Sequence, residues 1–263
     1  MTKTTSVPGG RPLQGISIGF SISESEDLAD YGLDPSHINT VTLELCRRFI
    51  ALGAKVVLGH QWRPNGVMES VARFAQNYHG GSESGIGPII HNYMAWPDRA
   101  ALTDAERKQL EPIVQIHEGS DEGRGRAEAL SSMRSLVAYN CNARICIAGK
   151  KKQDSGLVHG VIEEAALTLA RGNPVYMSSM MGGATAVMID RLEGREGTPL
   201  EGGDMSRTNQ YLDQIRQFGA TRLAQLCGLT PDDLHTLFHS HNLDTLIQLT
   251  SRCLLARPRR NPL

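Results

Sequence analysis

The chain has 263 residues, 40% of them hydrophobic, and its 27 basic and 28 acidic residues leave a formal net charge of -1. That length and apolar content suffice for one α/β domain with a small appendage, while the charge balance excludes a global field for attracting nucleic acid; the locally basic end "ARPRRNPL" reads as a solvated tail. The start, "MTKTTSVPGGRPLQG", holds no apolar signal core and no run approaches membrane-spanning length, so neither secretion nor membrane insertion is expected, and the cytoplasm is the expected location.

Residues 1–14 read as a flexible start. "GISIGFSIS" is the first expected strand, and "DPSHINTVTLELCRRFIALG" a helix with Asp34 as N-cap, Pro35 in its first turn and Gly53 beyond its end. "AKVVLGH" is a second strand, followed by a helix over "GVMESVARFAQNYHG" with Val67, Val71, Phe74 and Ala75 on one face, and by a third strand, "PIIHNYMAW". Thr103 and Glu106 form a capping-box pattern opening "TDAERKQL"; a strand "IVQIHEG", a helix "AEALSSMRSLVAYNC" and a strand "ARICIAG" come next. The helix "VIEEAALTLARG", the strand "PVYMSS" and the helix "GGATAVMIDRLEG" complete the alternation. Short, nearly all-apolar strands separated by helices imply a mostly parallel sheet covered on both faces, an α/β Rossmann-like fold over residues 15–194.

Beyond Gly194 the pattern changes. Residues 195–206 are a polar, Gly-rich connector and 207–263 a helical segment without strands, where Thr230 with Pro231 opens one helix and Asn242 another. In the last of these Leu243, Leu246, Ile247 and Leu254 fall near one face, an apolar surface with no sheet left to cover, and this predicts a homo-oligomer. The five cysteines, Cys46, Cys141, Cys146, Cys227 and Cys253, sit mostly in apolar patterns without zinc spacing; buried free thiols are expected and no metal site.

In a parallel sheet, ligands bind outside the carboxyl ends of the strands, beside helix N-termini that favour anions. Each strand-to-helix turn is therefore a candidate. Ser21, Ser23 and Ser25 can donate to phosphate or ribose, Arg63 supplies charge beside Gly66, and Gly182 with Gly183 lets a backbone approach a ligand, although a serine turn or a glycine pair serves equally as a plain bend. Arg134 can project from its helix into the same cleft or cover apolar groups with its stem. Tyr93 and Trp96 can stack on a base or belong to the core, and Lys150, Lys151 and Lys152 read as a solvated run from which one ammonium can reach phosphate. Glu163 and Glu164 in "GLVHGVIEEAA" complement a helix dipole; at a sheet's carboxyl edge such a carboxylate can also accept from ribose hydroxyls or stabilise positive charge at a sugar carbon.

The set "GFSISES", "GAKVVLGHQWRPNGVMESV", "SSMRSLV" and "ARICIAGKKKQDSGLVHGVIEEAALTLARGNPVYMSSMMGGAT" resembles, in this order, the SLOG superfamily of Rossmann-like nucleotide-binding proteins, which includes the LOG phosphoribohydrolases. The resemblance covers roughly residues 15–190, and the most similar group is the SLOG sensor domains found beside TIR, sirtuin and other bacterial immunity effectors. The hydrolases carry a Pro-Gly-Gly-x-Gly-Thr-x-x-Glu motif and a preceding helical Arg. On this chain the motif's last glycine falls on Gly160, its Thr on Val161 and its Glu on Glu164, and the helical Arg corresponds to Arg134. "GLVHG" replaces the glycine turn, and Val161 cannot hydrogen-bond phosphate. The resemblance thus implies a sensor of NAD-derived or cyclic ADP-ribose-like messengers in anti-phage or stress signalling, requiring no cofactor and acting through itself or a separate effector protein. The implied ligand set is Ser21, Ser23, Arg63, Gly66, Arg134, Gly160, Glu163, Glu164, Gly182 and Gly183. The alternative it implies is a nucleotide N-glycosidase with Glu164 and Arg134 catalytic.

Overall fold

The structure, a computed structural model, describes residues 11–59, 61–62, 66–79, 87–100, 102–120, 123 and 125–257. Arg63, most of the basic end and most of the expected flexible start lie outside the described residues.

In chain order the first half comprises β1 (Ser17–Ser23), α1 (Pro35–Ala51), β2 (Lys55–Leu58), α2 (Val67–His79), β3 (Ile90–Met94), α3 (Asp104–Leu110), β4 (Val114–Glu118) and α4 (Arg126–Tyr139). Then come β5 (Ala143–Ala148), the short β6 (Lys152–Gln153), α5 (Gly160–Ala170), β7 (Val175–Ser178), α6 (Gly183–Leu192) and the short β8 (Glu201–Gly202). Four helices finish the described chain: α7 (Met205–Phe218), α8 (Ala220–Cys227), α9 (Pro231–His239) and α10 (Leu243–Ala256). None of the helices is long and apolar enough to cross a membrane among the described residues.

The expected caps form. Asp34 accepts from the Ser36 N–H with Pro35 at the first helical position, and Thr103 and Glu106 make a reciprocal capping box on α3. Thr230 caps α9 and Asn242 caps α10.

Six strands pair in parallel in the order β4-β3-β2-β1-β5-β7, an α/β Rossmann-like sheet. From β1 the chain moves outward through β2 and β3 to β4, then crosses back to set β5 on the other flank of β1. The direction of winding therefore reverses between β1 and β5, where α/β sheets open a crevice at their carboxyl ends.

The period-two pattern of β1 assigns its faces. Phe20 meets Phe49 of α1, with ring centroids 6.0 Å apart, whereas its neighbour Ser21 donates to Glu164 of α5. So α1 and α5 cover opposite faces. All six residues of β5 are buried; Ile145 and Ile147, each fully enclosed, contribute about 1.5–3 kcal/mol apiece. The five cysteines are free and buried, as their apolar surroundings predicted.

Two features depart from the sequence reading. The stretch expected as a connector is partly structured: Glu201 and Gly202 pair with Lys152 and Gln153, and α7 already starts at Met205, capped by Asp204. Polar, Gly-rich composition concealed a two-residue ladder, which no periodicity can reveal. The apolar face of α10 is also covered within the chain. Leu246, Ile247 and Leu254 are buried where α10 packs on α1 and α9, and α9 in turn packs on β7. The sheet did have an edge left to cover, so this face lends no support to an oligomer.

Candidate functional site

Beneath the carboxyl edge, two carboxylates on α5 each meet their own guanidinium. Arg144, an arginine inside the apolar strand β5, is fully buried and needs every donor satisfied. Its Nη1 donates to Glu164 Oε2 at 2.6 Å and to Ser21 Oγ at 2.7 Å, and its Nε to Thr168 Oγ1 at 2.7 Å. Ser21 itself donates to Glu164 Oε2. Both contacts to Glu164 fall on one carboxylate oxygen, Oε2. The other, Oε1, lies beside Gly59, 3.8 Å from where a Cβ on that glycine would stand. On the same face, burial pushes the Cys146 thiol up to about 12 in spite of the nearby Arg144 charge, so it stays protonated.

Arg134 of α4 pairs with the other carboxylate. Its Nη1 donates to Glu163 Oε2 at 2.8 Å and to the Val158 carbonyl at 3.0 Å. Its guanidinium lies against the start of α5, and a side chain on Gly160 would put Cβ 2.7 Å from Nη2 and 2.9 Å from Cζ. Gly160 is thus glycine so that an arginine can rest on the helix terminus. Nε and Nη2 of Arg134 hold no hydrogen bond to the described residues.

At the β1/β5 crevice the chain supplies its own anions. Asp27 accepts from the Gly183 N–H at 2.8 Å at the start of α6, and its other oxygen pairs with the Lys151 ammonium. Glu26 accepts from the Lys151 N–H at 2.7 Å and the Lys152 N–H at 3.1 Å. Burial alone would raise the Glu26 pKa, but those two N–H groups and the Lys151 charge outweigh it and hold the carboxyl below its usual range. Gly183, at φ 70, brings its backbone so close that a Cβ would stand 2.3 Å from the Gly149 carbonyl. Gly183 therefore serves a close approach of two backbone segments and Gly182 makes room for the Asp27 side chain, which stands where an external anion would.

On the opposite flank of β1 the edge is open. A cleft of about 580 Å³ runs over the carboxyl ends of β1 to β3 beside α4, lined among others by Ser23, Gly59, Gly66, Met133, Arg134 and Lys150. Within it Arg126 is committed to Asp98 through two bonds of 2.9 and 3.0 Å. Among the described lining residues Lys150 is the cation without a carboxylate partner. A smaller pocket of about 230 Å³ adjoins the cleft through Tyr93, Met94 and Met133 and is walled by Trp96, His117 and Leu136. There the Tyr93 and His117 rings stack, 4.2 Å apart and 8° from parallel.

The structure thus brings Ser23, Gly66 and Arg134 to one cleft, with Glu164 Oε1 near Gly59 of its wall. Ser21, Glu163 and Gly160 lie beneath or behind it, Gly182 and Gly183 lie at the plugged crevice, and Arg63 is outside the described residues. Sequence reasoning missed Arg144, although a lone arginine in "ARICIA" announces a buried carboxylate partner. It also missed Glu26 and Asp27, whose turn was read for its hydroxyls.

Residues 12–248 match the family model described as SLOG cluster2. The match runs from before β1 into α10, taking in the C-terminal helices together with the sheet. Among curated proteins none matches the chain.

Proposed function

The chain belongs to the SLOG cluster2 family, within a superfamily of nucleotide-related binding or processing domains, and from that footing we propose that it binds a nucleotide and senses it rather than cleaving it. The observation that carries this reading is the state of Glu164. One oxygen is held by Arg144 and Ser21 while the other stands beside Gly59 on the cleft wall. A carboxylate so placed is a pre-oriented acceptor for a ribose hydroxyl, but a fully buried guanidinium already balances its charge. A glycosidase needs that charge for the positive sugar carbon of its transition state, and Arg144 opposes such use.

The remaining fittings are consistent with a nucleotide. Arg134 offers Nε and Nη2, and Lys150 an ammonium, to phosphate. The aromatic pocket around Tyr93 and Trp96 is of a kind that takes a base, with Ser23 near the ribose. The ligand class we propose is NAD-derived, of the cyclic ADP-ribose type, in a cytoplasmic anti-phage or stress response. No further cofactor is needed. Output passes through self-association or a separate effector protein.

The test is calorimetric titration with AMP, NAD, ADP-ribose and cyclic ADP-ribose, each followed by chromatography for free base. Binding of at least one without base release is expected. Catalytic base release would replace the sensor by a hydrolase, and failure of the whole panel to bind would remove the nucleotide reading.

A further inference from the structure

Away from the cleft, at the far end of α6, three side chains converge that the nucleotide reading does not use. His235 and His239 are four residues apart on α9 and so share one face of that helix. Facing them is Glu193, which caps the C-terminus of α6. His239 Nε2 lies 2.9 Å from Glu193 Oε1, and His235 Nδ1 lies 3.6 Å from the same oxygen. One donor atom from each of the three residues lies within 4.8 Å of the other two.

We propose that Glu193, His235 and His239 form a binding site for a divalent metal ion of the zinc class. Zinc bonds to nitrogen and oxygen of about 2.0–2.2 Å, set at tetrahedral angles, place neighbouring donor atoms about 3.3–3.6 Å apart. The 3.6 Å separation falls at the upper edge of that interval and the 2.9 Å separation lies below it. A plain hydrogen bond accounts for His239 alone, since the His235 nitrogen, 3.6 Å from Oε1, is too far to share a proton with it. Two imidazoles and a carboxylate favour zinc, nickel or copper over magnesium or calcium, and three protein ligands leave a fourth position for water.

The surroundings orient the carboxylate as outer-shell groups do in metal sites. Arg195 pairs with Glu193 Oε2 and with Asp190, which fixes the carboxyl group with Oε1 toward the imidazoles. The ion would join α9 to the C-terminal end of α6, the opposite end of that helix from the turn that leaves β7. That turn is already tied to α9, because Ser179 donates its N–H at 2.9 Å and its hydroxyl at 2.6 Å to the Phe238 carbonyl. The effect would be a clamp between the C-terminal helices and the sheet, a helix length from Gly183 and independent of the cleft.

The test uses the full chain, stripped with a chelator and dialysed, then titrated with zinc chloride against a chromophoric competitor. Thermal unfolding is followed with and without the metal. The wild-type chain should bind one zinc ion and unfold at a higher temperature with it. The side chain of His235 is 72% exposed, so His235→Ala can be made without disturbing the fold. That variant should bind zinc roughly tenfold or more weakly, and Glu193→Gln should behave alike. No zinc bound by the wild type at micromolar concentrations would overturn the proposal. So would equal binding by wild type and both variants, which would place the metal on other groups.

Discussion

On its β5 flank, the carboxyl end of β1 is closed by charges that the chain supplies to itself; on its β2 flank it opens into a cleft whose walls keep donors in reserve. Both flanks are rich in Arg, Lys, Asp and Glu, so composition does not separate them. Burial does. Glu164 and Arg144 meet where water is excluded and neither can leave the other without a large desolvation cost. Glu26 and Asp27 occupy the N–H groups of Lys151, Lys152 and Gly183 that a phosphate would otherwise use. In the cleft, by contrast, Arg134 and Lys150 can add a ligand contact without giving up a partner. The switch point marks where such folds can bind; which flank is used depends on which anions the chain has already placed there.

The comparison breaks most easily at Arg144. Arg144→Met leaves Glu164 buried without its guanidinium and should cost about 3–5 kcal/mol in urea unfolding. Adding Glu164→Leu removes the stranded charge and should recover most of that loss. A single-variant loss near zero would mean that the β5 flank is wetter than described. In the cleft, Arg134→Ala should weaken the best nucleotide by about 1.5–3 kcal/mol, roughly tenfold or more, in calorimetric titration. Thermal unfolding must accompany it, since Glu163 loses its partner too. Glu164→Gln should reduce affinity only modestly, because Oε1 acts as an acceptor; turnover collapsing while affinity held would favour the hydrolase instead.

The fold was legible because its signals are local and redundant. Alternation in "SIGFSIS", the caps at Asp34, Thr103, Thr230 and Asn242, and unbroken apolar strands all agree on a parallel sheet. The site was only half legible. Strand ends point to Ser23, Gly66 and Arg134, three residues that line one cleft, yet nothing local shows that Glu163 faces Arg134 while its neighbour Glu164 faces Arg144. That partition depends on pairing between positions 20 and 29 residues apart across the sheet and a helix. Likewise "SESEDL" carries both hydroxyls and carboxylates, and only the fold decides that Asp27 reaches α6.

A smaller effect sharpens the closed flank. Asp27→Ala removes the acceptor for the first N–H of α6 and should cost about 1 kcal/mol, within the 0.5–2 kcal/mol range of lost caps. Its neighbour gives a pH signature. The Glu26 pKa is lowered on folding, so its contribution is fully present above the unfolded carboxyl value of about 4.3 and is lost as pH falls through the lower folded value. Thermal stability should therefore fall across that acid range, less steeply in Glu26→Gln. Identical slopes would show that Glu26 is not held by the Lys151 and Lys152 amides.

The smallest effect belongs to Lys150, whose exposed side chain has no carboxylate partner among the described residues. Lys150→Ala should leave unfolding unchanged and lower nucleotide affinity only a few-fold, since an exposed ammonium acts through screened charge. Screening also provides the control. The affinity ratio between wild type and variant should shrink as salt rises from about 0.05 to 0.3 M, because the Debye length falls below the reach of a flexible lysine. Arg134, enclosed between α4 and α5, should keep most of its effect over the same range. If instead Lys150→Ala bound like wild type at every ionic strength while Asp27→Ala changed affinity tenfold, phosphate would bind at the β5 flank after all. The open and closed sides would then have to be exchanged.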